Sequence, residues 1–191
     1  MEMIFVRHAE GEHTINLPDS LHIADPSLTK QGIEQANSLK IRIPLNQEEL
    51  LIVSPIRRTL QTAMLWSKGT PCLKYVTPFV GPRLFPLKQN GKTLPCDRLM
   101  PISGLKNEFP DFVIDNNASS VSWENGINCL PENQFSILAK QFIGWCNKFN
   151  KERIFIVTHD GTITAYRQFL MGEQLTRDDF LGETGWIKIT V

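Results

Sequence analysis

Two periods of hydrophobic and polar residues alternate along the chain. Short apolar runs that break off in polar residues read as buried strands, and apolar recurrences three and four residues apart read as helices. The first run, Met3 to Val6, stops at Arg7-His8, and the polar, glycine-bearing stretch Ala9 to His13 follows as a loop would around a pocket. Asp25 to Thr29 reads as a turn into a helix N-cap, with Ile33, Ala36, Leu39 and Ile43 at helical spacing. Leu50 to Val53 is a second strand. It ends at Ser54-Pro55, which suits a helix with serine as cap and proline in its first position. Ile56, Leu60, Ala63 and Met64 give that helix its apolar face.

A third strand is predicted over Lys74 to Val80. Between Gly81 and about Asn133 the periodicity dissolves among prolines and glycines, which predicts a loop-rich cap over the site (about 81–133). Phe135, Leu138, Phe142, Cys146 and Phe149 then mark an amphipathic helix, and Arg153 to Val157 another buried strand that stops at Thr158-His159-Asp160-Gly161. Ile163, Tyr166 and Leu170 mark a further helix, and Trp186 to Val191 alternates as an edge strand. Strand, polar turn and helix in repetition predict an α/β fold: one domain over residues 1–191, a three-layer α/β/α sandwich on a mostly parallel central sheet.

Composition narrows the function. The chain has 191 residues, of which 41% are hydrophobic and 21% charged, as in ordinary globular domains. Twenty basic residues balance twenty acidic ones, so no global field favours nucleic acid or an anionic membrane. Met3 to Val6 is too short for the core of a secretory signal, and no stretch approaches the roughly 18 apolar residues of a membrane span. The cysteines at 72, 96, 129 and 146 form no Cys-x-x-Cys pair. Unpaired thiols in the cytoplasm are expected, with neither a metal site nor a cofactor.

Chemistry collects at the strand ends. The first ends in Arg7-His8, the second in Ser54 with arginines at 57 and 58, and the third of this kind in His159-Asp160. In a parallel sheet such ends converge on one crevice, which would hold two histidines, at least two arginines and two helix N-termini. Guanidinium groups and helix N-termini bind phosphate oxygens. Positive surroundings keep a histidine neutral and nucleophilic. The set fits phosphoryl transfer through a phosphohistidine, with side chains rather than a metal meeting the charge that develops.

VRHAEGEH at the start, DPSLTKQGIEQA after it, VSPIRRTLQTA in the middle and VTHDG near the end resemble, in order, the motifs of the histidine phosphatase superfamily, the phosphoglycerate mutase-like fold. LPCDRL followed by LKNEFP is similar to the insertion of its phosphomutase-like subgroup. The resemblance implies that His8 is the nucleophile, that Arg7 and Arg58 bind the phosphoryl group, and that His159 donates to its oxygens. Arg57 is left as structural or peripheral. Asparagine is common in the family where this chain has Thr14, and Asn16 is a nearby substitute. His13 lies in the pocket loop, and Asp97 belongs to the Pro-Cys-Asp pattern. Thr14, Asn16, His13 and Asp97 are therefore the expected substrate contacts.

Many relatives take their general acid from a glutamate before the Pro-Cys-Asp stretch, where Arg83 to Lys88 offer no carboxylate. Asp160 resembles the His-Asp pair of the acid-phosphatase branch and is the expected proton donor, ahead of Asp97, Glu108 and Glu10; alone, it also reads as a helix N-cap. The expected activity is metal-independent hydrolysis of a small phosphomonoester. Two alternatives stand beside it: a phosphate-ligand or protein-binding module without turnover, and a phosphoglycerate mutase. A dimer through the last strand is open.

Overall fold

A computed structural model describes all residues, 1–191. Its six strands lie in the order β4-β3-β2-β5-β1-β6. Chain order gives β1 (Glu2–Arg7), α1 (Lys30–Arg42), β2 (Leu50–Val53), α2 (Arg57–Ser67) and β3 (Leu73–Val76), then α3 (Ile102–Glu108), β4 (Val113–Ile114) and α4 (Ser120–Asn125), and finally α5 (Glu132–Asn147), β5 (Arg153–Thr158), α6 (Asp160–Met171) and β6 (Trp186–Thr190). All neighbours run parallel except the edge strand β6, which is antiparallel to β1.

Because β1, β2 and β5 are apolar on both faces, both faces must be covered. Met3, Phe5, Leu50, Ile52, Ile154 and Ile156 pack with Phe135 and Phe142 of α5 and Tyr166 of α6. Ile4, Val6, Leu51, Val53, Phe155 and Val157 pack on the other side with Leu39 of α1 and Leu60, Ala63 and Trp66 of α2. The predicted three-layer α/β/α sandwich is the observed one.

β5, the last parallel strand in the chain, slots between the first two. Arg7 pairs with Thr158 and Val53 with Val157, so the carboxyl ends of β1, β5 and β2 stop at one level. The ladder runs one residue further, with the His8 amide donating to the Thr158 carbonyl at 2.9 Å and the Ser54 amide to the Val157 carbonyl at 3.1 Å. A crevice at a change in strand order is where open α/β sheets bind ligands.

Four details differ from the pattern-based expectation. The predicted cap serine, Ser54, does not cap: α2 starts at Arg57 with Ile56 as its N-cap, because the Ser54 hydroxyl is committed to His159. Ile33 is exposed, and α1 buries Gly32, Ala36 and Leu39 instead. β3 ends at Val76 rather than Val80, since Thr77 caps a one-turn helix at Pro78–Val80 with its side chain on the Phe79 amide. The loop-rich segment 81–133 is more than a cap: Met100, Leu105, Phe109 and Phe112 enter the second core, and β4 extends the sheet.

The chain leading into that segment, Phe79 to Gly81, is bound to β5 and α6. Thr158 and Thr162 donate from their hydroxyls to the Val80 and Gly81 carbonyls, both at 2.6 Å, and the Tyr166 hydroxyl donates to the Phe79 carbonyl at 3.0 Å. The chain comes so near that a Cβ on Gly161 would lie 2.2 Å from the Arg83 carbonyl oxygen. A side chain there would displace backbone. Gly161→Ala is expected to destabilise the fold by about 2 kcal/mol or more, read as a lower denaturant midpoint; an unchanged midpoint would mean that this approach is not tightly held.

Candidate active site

His8, His159 and Arg58 meet at the three strand ends. Arg58 is buried, with only 1% of its surface exposed, and its guanidinium is satisfied almost wholly by protein. Its Nε donates to His8 Nε2 at 3.2 Å, one terminal nitrogen donates to the Cys96 carbonyl at 2.7 Å, and the other donates to Asp97 at 2.9 Å and to His159 Nδ1 at 3.2 Å. The histidine rings stand 5.1 Å apart, and His13 lies 5.5 Å from His8.

These partners assign the tautomers. His8 Nδ1 is 2.7 Å from the Ala9 carbonyl, which can only accept. Nδ1 therefore carries the proton, and the lone pair is on Nε2. His159 Nδ1 faces a guanidinium, which can only donate, so its proton is on Nε2, 2.9 Å from the Ser54 hydroxyl. A hydroxyl both donates and accepts, and it would serve the other tautomer equally well.

Burial first, and the Arg58 cation second, hold the imidazolium forms of His8 and His159 well below the ordinary histidine range. His13 is pushed down to about 3 by the same two causes and by Arg7. All three rings are neutral at neutral pH, as a histidine nucleophile must be.

Arg7 closes the other side. One terminal nitrogen donates to the Leu181 carbonyl; the other lies 3.1 Å from Asp160 and 3.4 Å from Glu183; its Nε is buried without a partner. Asp160 is not the N-cap of α6, a place taken by His159. One of its oxygens accepts from the Gly161 amide at 2.6 Å, and the other faces Arg7.

The pocket loop is tied down by the two helices behind it. The Ala9 amide donates to Thr62 at 3.1 Å and the Glu10 amide to Gln35 at 2.8 Å, while Ser20 donates to the His13 carbonyl at 2.8 Å.

Of the residues expected from the sequence, Arg7, His8, His13, Arg58, Asp97, His159 and Asp160 are brought together. Thr14 is not turned to the site by its hydrogen bond, since its hydroxyl donates back to the Gly11 carbonyl at 2.9 Å. Asn16 is exposed, in an outer depression with Glu12, Ile15 and Asp19. Glu10 accepts from Thr29 at the start of α1, and Glu108 pairs with Arg57 through two hydrogen bonds. Arg57 also holds Asp25, which makes it a surface clamp. Two residues went unforeseen as site members. Ser54 carried a signal, being a polar residue at a strand end; Glu183 carried none, since only the folded C-terminal loop brings it to Arg7.

Residues 3–78 match the profile of the histidine phosphatase superfamily (branch 1). A phosphoglycerate mutase-like protein of Arabidopsis thaliana is 27% identical over 189 aligned positions, covering 82% of this chain and 69% of the relative. Among solved structures, the α-ribazole phosphatase of Shigella flexneri superposes with a TM-score of 0.64 at 21% identity, over 100% of this chain and 91% of the other. The phosphoserine phosphatase of Entamoeba histolytica, solved with 3-phosphoglyceric acid, gives 0.57 at 18% identity over 98% and 89%.

The neutral histidines link the site to stability. Their pKa values lie lower in the folded chain than in the unfolded one, so the unfolded chain gains protons first as pH falls. The contribution is present above about pH 6.5 and is lost on going below it. For His13 the loss continues towards its folded value of about 3. Replacing His13 by Asn is expected to remove on the order of 1–2 kcal/mol of the stability loss between pH 7 and pH 5. Denaturant unfolding at the two pH values checks this, and parallel slopes for wild type and variant would refute it.

Proposed function

We propose that this chain, which has the histidine phosphatase fold and matches that superfamily over residues 3–78, is a phosphatase that hydrolyses a small phosphomonoester through a phosphohistidine on His8 and needs no metal. The observation that carries this reading is the lone pair on His8 Nε2, fixed by the Ala9 carbonyl and facing the Arg58 guanidinium. A nucleophile and a cation for the phosphoryl oxygens stand against each other.

In the first half-reaction His8 Nε2 attacks phosphorus. The P–N bond forms as the ester P–O bond breaks, and the electron pair leaves on the alcohol oxygen. Asp160 gives that oxygen its proton and becomes a carboxylate. Arg58 turns from His8 to the phosphoryl oxygens, and the Arg7 Nε joins it. With a phosphoryl oxygen in place of Arg58 at His159 Nδ1, that ring donates there and accepts from Ser54 at Nε2. In the second half, water attacks the phosphohistidine and yields its proton to Asp160. The P–N bond breaks, the pair returns to Nε2, and inorganic phosphate leaves.

The substrate is a small phosphorylated molecule, the kind found with the E. histolytica neighbour. A mutase would keep the phosphoryl group and return it to a reoriented product. Hydrolysis is the simpler outcome for a site whose insertion offers no carboxylate at Arg83 to Lys88. Four free cysteines, three of them buried, support a cytoplasmic protein; no helix is long and apolar enough to cross a membrane.

The test is phosphate release in excess chelator from p-nitrophenyl phosphate and from an alkyl phosphate. Nitrophenolate leaves without a proton, whereas an alkoxide requires one. Wild type should turn over both, and His8→Ala neither. Asp160→Asn should still release nitrophenolate from the aryl ester in the first half-reaction, read as a burst before the slowed hydrolysis of the phosphohistidine, and should lose that step with the alkyl ester by roughly 10²- to 10⁴-fold. Tight vanadate binding with no release from any phosphomonoester would sink the enzyme reading in favour of a binding module, and product analysis with 3-phosphoglycerate separates a mutase.

A further inference from the structure

The C-terminal loop Leu181–Gly185 grips Arg7 from main chain and side chain together. The Arg7 amide donates to the Gly185 carbonyl at 2.9 Å, and the Thr184 amide donates back to the Arg7 carbonyl at 3.1 Å. The Leu181 carbonyl takes one terminal nitrogen of the guanidinium, and Glu183 lies 3.4 Å from the other, the same nitrogen that Asp160 meets at 3.1 Å. The loop reaches this position with Thr184 at φ +53°, left-handed backbone that disfavours a β-branched residue. Buried Thr184 is held there by Arg42, which donates to its hydroxyl at 3.0 Å. Strained backbone thus brings a second carboxylate to a cation that already has one.

The catalytic cycle gives that second carboxylate a purpose. Asp160 is neutral before it protonates the leaving oxygen, anionic after it, and neutral again once water has given up its proton. Whenever Asp160 is neutral, Arg7 loses that counterion. We propose that Glu183 is a positioning residue that, with the Leu181 carbonyl, keeps Arg7 in place while Asp160 is protonated, so that the free Nε of Arg7 serves the phosphoryl oxygens in both half-reactions. The proposal rests on the phosphatase reading above and adds to it a residue that never touches substrate.

Asp160→Asn, neutral at every pH, imitates the protonated acid and makes the dependence visible. Vanadate affinity is measured for wild type, Glu183→Gln, Asp160→Asn and the double variant, together with turnover of p-nitrophenyl phosphate. Glu183→Gln should weaken vanadate by no more than about 3-fold with Asp160 present, and by about 10-fold or more in the Asp160→Asn background, where aryl-ester turnover falls with it. Asp160→Asn with Glu183→Asp should recover most of the affinity, which a merely structural loss would not. The same small factor in both backgrounds, or none in either, overturns the proposal. Should the double variant fail to fold, the single Glu183→Gln decides: alkyl-ester turnover must fall more than aryl-ester turnover, and equal losses refute the role. Retained alkyl-ester turnover in Asp160→Asn would instead refute the proton donor, leaving the vanadate comparison to judge the anchoring of Arg7.

Discussion

A buried guanidinium organises this molecule. Arg58 is 1% exposed, and a cation so placed is tolerated only when its donors are met and its charge is balanced. The acceptors are four residues from three separate stretches of chain: His8 after β1, Cys96 and Asp97 in the long insertion, and His159 after β5. Each must arrive in register for Arg58 to be buried at all. The level ends of β1, β5 and β2 and the packing of segment 95–97 over them are therefore one requirement seen from two sides.

That requirement also sets the protonation of the site. Only Asp97 meets Arg58 with negative charge; the other acceptors are a carbonyl and two imidazole lone pairs. An imidazolium at His8 or His159 would remove an acceptor and place a like charge beside the guanidinium. Desolvation acts in the same direction. The neutral state of His8 and His159 is thus a consequence of burying Arg58 among histidines, and the expected acid sensitivity of the fold is its counterpart.

What the sequence made legible was where apolar runs stop. Arg7, His8 and His159 could be found because doubly buried parallel strands leave short unbroken runs, and the carboxyl ends of such strands face one way. Arg58 was separable from Arg57 by the resemblance, and the structure gives the physical difference, one arginine buried at the strand ends and the other clamping Asp25 and Glu108. Ser54 was misread as a cap because a serine at a strand end suits a helix amide and a neighbouring ring alike. The insertion was illegible for another reason. Its apolar residues Leu105, Phe109 and Phe112 do recur at helical spacing, but Pro101 and Pro110 confine the helix to the seven residues of α3, and the burial of these apolar residues depends on a surface made by α2 and β3. Glu183 was invisible in the same way, through contacts that only tertiary structure makes.

The choice of the proposed proton donor turns on such long-range contacts. Four carboxylates were open in the sequence, and each is now bound. Glu108 is engaged on the outer surface by Arg57, and Glu10 by Thr29 at the start of α1. Asp97 is the sole anion on a buried cation, so a proton there would strand Arg58. Asp160 shares Arg7 with a second carboxylate, Glu183, and with the Leu181 carbonyl. It can change charge while its arginine stays compensated by Glu183, the freedom that the proposed proton donor requires.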